Sequence, residues 1–357
     1  MNDLGADIAE TVRRLQCSML PDEPPELTGA RVAYRYLPAR EAARVGGDWF
    51  DAIPLPGNRV AITVGSVLRH GLTSAAIMGQ LRAAVRVLAA QDLPPDRVLS
   101  GLDDLARRLG EPYTATFLYA VYDPLARSLR IADAGHLPPV LVTAAGATPL
   151  PVPPGAPIGV GAEGFEVFET RVEDGSRLVL GTDGLMGGQA PATGQALAER
   201  VAACADAADF LHALAPAAGA EDIALLLVEL TGIPDGDVAS WELVAEPRSV
   251  PWARGQIRRC LDGWGRSELA DTMELLVSEL VTNALVHGAG AIWLRLIRGS
   301  VLLCEVGDDG PELPYIRDAA DTDESGRGLQ LVSVLARSWG TYRTATGKVV
   351  WFEHPLD

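Results

Sequence analysis

Arg59–Ala90 reads RVAITVGSVLRHGLTSAAIMGQLRAAVRVLAA, an apolar run, a short turn and a segment whose apolar positions recur with a helical period. The pattern predicts a strand, a turn at Val64–Gly71 and a helix over 72–90. Such a turn at the end of a strand is where folds often place a metal or phosphate ligand. Here it offers the hydroxyl of Ser66 and the cation of Arg69, but no carboxylate.

Outward from this stretch, short apolar runs dominate from Arg31 onward: VAYRYL, TATFLYAVYD, LRIADAG, PVLVTA, RLVLGTDG and DIALLLVEL, most of them punctuated by Gly, Pro or Asp. Many strands with few helices between them imply a large antiparallel or mixed sheet system. Further helices are expected at about 96–109 and within 191–214. Upstream, residues 4–20 carry a helical pattern that stops at Pro21, which fits either a dimer helix or a lone packed helix. Residues 1–25 are thus read as an N-terminal helix with its linker, and 26–230 as the first domain.

TGIPDGDVAS, residues 231–240, is rich in Gly, Pro and Asp and reads as a linker. A second domain is expected over 241–357, opening with a strand at Trp241. Two helical patterns follow, then the strands AIWLRLIRG and VLLCEVGDDG, a glycine-containing loop entering the helix SGRGLQLVSVLARSW, and a closing strand GKVVWFEH. That order describes a two-layer α+β domain.

The 357 residues fit two domains, each able to bury a core. Cys17, Cys204, Cys260 and Cys304 form no C-x-x-C pair, so neither a zinc site nor a disulfide framework is indicated, and a cytosolic location is expected. No apolar run approaches the roughly 20 residues that span a bilayer. The formal net charge of −17 argues against nucleic acid or an anionic membrane as the main partner.

In the second domain Glu279, Asn283 and His287 fall at i, i+4 and i+8, on one face of a helix. A half-buried carboxylate and amide are costly unless satisfied, which points to a ligand or metal, although an exposed polar stripe has the same spacing. Asp308-Asp309-Gly310 ends an apolar strand, where an Asp can accept a hydrogen bond from an exocyclic amine. Gly326-Arg327-Gly328 opens a helix whose N–H groups suit phosphate. SELVTNALVHG, DDGPELP, ESGRGLQLV and GKVVWFE, in this order, resemble the nucleotide-binding boxes of the histidine-kinase-like ATPase fold, and more closely its anti-sigma-factor serine kinase branch. The resemblance implies that Asn283 coordinates the Mg²⁺ of Mg-ATP, that Asp308 reads adenine, and that Gly310, Gly326 and Gly328 shape the lid around the phosphates. It also implies that Glu279 is the general base. Arg327 would meet either the transferred phosphate or a partner. The sequence departs from the family at Glu312, where a second glycine is common.

LQCSMLPDEPP, YLPAREAARVGGDWFDA, VGSVLRHG, ATFLYAVYD, ADAGHLPPVLV, LVLGTDGLM and EDIALLLVE together resemble the SpoIIE-like branch of the metal-dependent PPM serine/threonine phosphatases. The implied fold is an α-β-β-α sandwich. Its chemistry holds two Mn²⁺ or Mg²⁺ ions with clustered carboxylates to make water a nucleophile. Asp48, Asp183 and Asp222 match ligand positions of that family; each alone would read as a turn or capping residue. Asp51 is an outer-shell candidate, while His70 and His136 read as packing or turn residues. Ser66 stands where relatives carry the Asp that bridges both metals, and Arg69 where a glycine is usual. A serine is a neutral, poor ligand for a hard dication.

The resemblance therefore implies a regulator acting on an anti-anti-sigma (STAS-type) protein or a sigma factor, itself a homodimer. Three forms are open: a serine kinase whose phosphatase-like domain is impaired in metal binding, a bifunctional phosphatase and kinase, or a docking protein without catalysis.

Overall fold

The computed structural model describes residues 20–21, 23–39, 47–68, 72–108, 113–187, 193–204, 210–214, 221–313, 328–344 and 346–356. The helical pattern of residues 4–19 lies outside them, as do Cys17, Arg69, His70, Gly326 and Arg327. Contacts divide the chain between Gly232 and Ile233 into two units.

In the first unit one sheet runs β2 (Gly47–Pro54), β3 (Val60–Val67), β4 (Ala115–Asp123), β5 (Ser128–Ala134), β8 (Val167–Arg171). A second runs β1 (Ala30–Leu37), β10 (Ile223–Leu230), β9 (Ser176–Gly181), β6 (Val140–Thr143), β7 (Gly146–Pro149). All pairings are antiparallel. The helices α1 (Leu72–Ala90) and α2 (Pro95–Arg108) pack on the first sheet, α3 (Gly194–Cys204) on β6 and β7, and β10 faces β2 across the middle. This is the expected α-β-β-α sandwich. Sheets covered on both faces read as continuous apolar runs rather than as alternation, and β3 and β4 are buried along nearly their whole length. On α1, Ala75, Met78, Leu81, Val85 and Ala89 are buried, a helical stripe laid on the sheet. Gly65 of β3 lies in register between Trp49 and Phe117, whose rings meet at 5.4 Å. A Cβ there would come within 2.5 Å of the Trp49 ring.

The segments that enter β1 and leave β10 are tied together. The carbonyl of Gly29 accepts hydrogen bonds from the N–H groups of Thr231 (2.9 Å) and Gly232 (3.1 Å). The Gly232 N–H also reaches the Tyr122 hydroxyl at 3.1 Å.

In the second unit the sheet order is β11 (Val238–Leu243), β12 (Ile292–Arg298), β13 (Leu302–Asp308), β15 (Lys348–His354), β14 (Ser338–Arg343). One face is covered by α5 (Ser249–Gly263), α6 (Ala270–His287) and α7 (Gly328–Leu335) around a core that includes Ile257, Met273, Leu280, Leu294, Cys304 and Phe352.

Three boundaries differ from the expectation. β11 begins at Val238, inside the stretch read as linker, because VASWEL pairs with β12 from Val238↔Ile297 to Leu243↔Ile292. The helix entered at Gly328 stops at Leu335, and SWGTYR becomes β14, paired with β15. The segment 191–214 holds two short helices, α3 and α4 (Phe210–Leu214), among its described residues.

Candidate functional site

Asp48 and Ser66 are direct cross-strand partners in the β2–β3 register. Asp48 is buried, and its carboxylate accepts hydrogen bonds from the hydroxyls of Ser66 and Thr182. Burial pushes its pKa up to about 8, helped by the charges of Asp222 and Asp183 and opposed by the two hydroxyls. Pairing of β9 with β10 brings Thr182 and Asp183, just after one strand, beside Asp222, just before the other. The bond from the Ala224 N–H to Thr182 Oγ1, 3.0 Å, locks that corner. The buried Asp222 is also engaged: the Tyr36 hydroxyl donates to Oδ2 at 2.7 Å and the Ala39 N–H to Oδ1 at 2.7 Å. Asp183 is exposed, opening a single helical turn, and its Oδ1 accepts only its neighbour Gly184's N–H among the bonds seen, at 3.1 Å. Among the described residues, no three His, Cys, Asp or Glu side chains gather as a ready metal site.

Asp51 is a correction. Three residues from Asp48 on a strand, it projects from the opposite face. There it is buried under α1 and accepts from Arg82 Nε (3.0 Å) and from Arg86 Nε (2.7 Å) and Nη2 (2.8 Å). It fastens α1 to the sheet. His136 is buried and donates its backbone N–H to Asp133 Oδ1 at 2.8 Å, with its ring Nδ1 3.1 Å from the Leu137 carbonyl oxygen. Burial pushes the imidazole down. Asp133, unremarked in the sequence, is raised to about 6 by burial against the N–H groups of His136, Gly155, Gly135 and Ala134, and organises this turn.

In the second unit α6 buries Met273, Leu276, Val277, Leu280, Val281 and Ala284, which leaves Glu279 and Asn283 half-buried at its flank and His287 exposed. Glu279 packs against the first residue of α7: a Cβ on Gly328 would collide with its carboxylate. Asp308 ends β13 and is buried. Its Oδ1 accepts from the Gly310 N–H (2.8 Å), from Lys348 Nζ (2.9 Å) and from the Ala289 N–H (3.3 Å). Its Oδ2 is buried without a hydrogen-bond partner. Cβ atoms on Gly288 and Gly310 would come within 2.7 Å of the Asp308 carboxyl group, so only glycines fit around it. Next to it, Asp309 Oδ2 accepts the Ala291 N–H at 2.8 Å and fastens the loop that leaves α6. Glu312 is exposed. A buried acceptor left unpaired costs about 1–3 kcal/mol. An exocyclic amine would satisfy it, so Asp308 fits the base of a bound adenine nucleotide.

Residues 56–231 match the family model of stage II sporulation protein E, and residues 243–353 that of the histidine kinase-like ATPase domain. A crystal structure of the RsbU and RsbW domains of Rv1364c from Mycobacterium tuberculosis is 28% identical, covering 94% of this chain and 96% of that one at a TM-score of 0.56. The fold of the first unit is shared by the SiaA-PP2C domain of Pseudomonas aeruginosa (18% identical, 63% of this chain and 96% of that one, TM-score 0.51). It is also shared by a PP2C phosphatase domain with a regulatory fragment of SpoIIE from Bacillus subtilis (14% identical, 58% and 66%, TM-score 0.50). Protein IcfG of a Synechocystis species is 25% identical over 211 residues, 51% of this chain and 33% of that protein, so the chain spans about a third of that curated relative's length. Among the described residues no helix is long and apolar enough to cross a membrane. Two sheets faced by helices, followed by a second sheet unit with a buried Asp at the end of a strand and a half-buried Glu and Asn on a helix, thus find their match in both units: the first matches the stage II sporulation protein E family and the second the histidine kinase-like ATPase domain family.

Proposed function

We propose that this protein is a partner-switching regulator in which the second domain binds Mg-ATP and phosphorylates a serine of a small anti-anti-sigma protein, while the first binds a partner without a working two-metal centre. One observation carries the reading of the first domain: Ser66 gives Asp48 a hydroxyl where a two-metal site needs a second carboxylate. A hydroxyl adds no charge between two dications, and the remaining oxygens of Asp48 and Asp222 are already engaged by protein donors. The donor set does not fit two metal ions.

In the second domain Mg-ATP supplies the phosphoryl group. Asp308 would hold the base, Asn283 the magnesium ion, and the backbone at Gly326–Gly328 the phosphates. Glu279, half-buried beside the first turn of α7, would take the proton from the attacking serine hydroxyl. Charge neutralisation and alignment of that hydroxyl do most of the work in such transfers.

The bifunctional reading has one observation in its favour: Asp48, Asp183 and Asp222 all remain at one end of the sandwich, with Asp183 exposed. The experiment is hydrolysis of an aryl phosphate or a phosphoserine peptide in millimolar Mn²⁺. Slow turnover by the natural chain supports the proposal. Brisk turnover abolished by Asp183→Ala would install the bifunctional enzyme instead. For the second domain, transfer of phosphate to an anti-anti-sigma protein should vanish in Glu279→Ala while ATP still binds; if transfer persists, Glu279 is not the base.

A further inference from the structure

Lys348 is among the most deeply buried large side chains of the described residues, 2% exposed. An ammonium group is rarely placed so deep without a partner. Its partner is Asp308, its cross-strand neighbour in the β13–β15 register, with Nζ 2.9 Å from Oδ1 and 3.4 Å from the Gly310 carbonyl oxygen. Three donors thus converge on one carboxylate oxygen: the Lys348 ammonium, the Gly310 N–H and, at 3.3 Å, the Ala289 N–H. The other oxygen, equally buried, receives none. Gly288, Gly310 and Gly347 leave no room for a side chain in the immediate surroundings of Asp308.

We infer that Lys348 is the positioning residue of the base pocket: by holding Asp308 Oδ1 it leaves Oδ2 as a fixed acceptor, which selects a purine bearing an exocyclic amine over one bearing an oxo group. This rests on the reading of the second domain as a nucleotide site. A carboxylate has no proton to donate, so it pairs with an amine and repels a carbonyl oxygen. Deprived of its cation, Oδ1 keeps only the Gly310 and Ala289 N–H groups, and the carboxyl is no longer held with Oδ2 alone facing the base. Discrimination between amine and carbonyl then disappears although the pocket keeps its shape.

The test compares ATP with inosine triphosphate, in which the amine is replaced by a carbonyl, by calorimetry on the full chain. Sites built around a substrate N–H reject the analogue lacking it by large factors, so the natural chain should prefer ATP by at least about 100-fold. Lys348→Met should cut that ratio to within about tenfold, with a thermal melt to check that it folds. Because removing one partner of a buried pair is destabilising, the double variant Asp308→Asn with Lys348→Met removes both charges; its amide can turn either way and should bind the two nucleotides comparably. Equal binding of both by the natural chain overturns the role of Lys348 and leaves the nucleotide site standing, as does a full preference for ATP in either folded variant. Binding of neither nucleotide by the natural chain refutes the site itself.

Discussion

Asp48 holds its proton to about pH 8 in the folded chain, whereas an unfolded carboxyl gives it up near its ordinary 3.8. Between those values the native state binds more protons than the unfolded one, so stability falls as pH rises across the window. Asp133, raised to about 6, acts in the same direction over the lower part of that range. His136, pushed down by burial, opposes it below its ordinary 6.5. The clean interval is therefore about pH 6.5 to 8. In chelator, the melting temperature should drop across it, and Asp48→Asn should flatten the slope; a natural chain insensitive to pH there would refute the protonated Asp48. Ser66→Asp tests the same corner by addition. It restores a hard oxygen ligand and should raise both Mn²⁺ affinity and phosphatase turnover, read by titration calorimetry and by phosphate release. Most of this corner was readable from residue types in order, since Asp48, Ser66, Asp183 and Asp222 stand in recognisable motifs. The hydroxyls of Tyr36 and Thr182 were not, because a Tyr in a strand and a Thr after one announce no partner until the two sheets are laid together.

At the scale of elements, α1 is fastened by more than its apolar stripe. Asp51 beneath it takes bonds from two of its arginines, Arg82 and Arg86. Asp51→Ala would leave Arg82, 17% exposed, without its carboxylate. Because Arg86 is half exposed and Arg82 keeps other contacts, the cost should be about 1–3 kcal/mol rather than that of a fully buried pair. Chemical denaturation should show the midpoint shift; a shift below about 1 kcal/mol would mean that the apolar stripe alone fixes α1. Sequence alone suggested an outer-shell metal role for Asp51, since a strand's period separates Asp48 from Asp51 only once β2 is recognised, and GDWFDAIP lacks alternation because both its faces are covered. The same limit hid β14. The helical reading of SGRGLQLVSVLARSW runs on through Ser338 and Trp339, and only the pairing of SWGTYR with β15 decides where the helix stops.

For the whole molecule, two domains in order were legible from the linker composition and from the separate motif sets. Their border was less so, because the polar stretch TGIPDGDVAS contains the start of a strand whose partner lies some 50 residues downstream. A fragment of residues 233–357 keeps all of β11 and should fold, whereas one beginning at Trp241 loses half of an edge strand and should melt lower. In the longer fragment, ATP at 100 times its dissociation constant should add about 2.7 kcal/mol of stability. Calorimetry and thermal melts of both fragments decide this, and indistinguishable melts would show that the first half of β11 is dispensable. The first domain carries a different consequence. With Gly29 and Gly232 clasped by direct hydrogen bonds, the segment entering β1 and the one leaving β10 lie side by side at the edge of the sheet. A module closed in this way can be spliced into a surface loop of a host protein, or have its ends joined and be reopened elsewhere, without stretching any strand. Recombination could thus move it between proteins as an intact cassette.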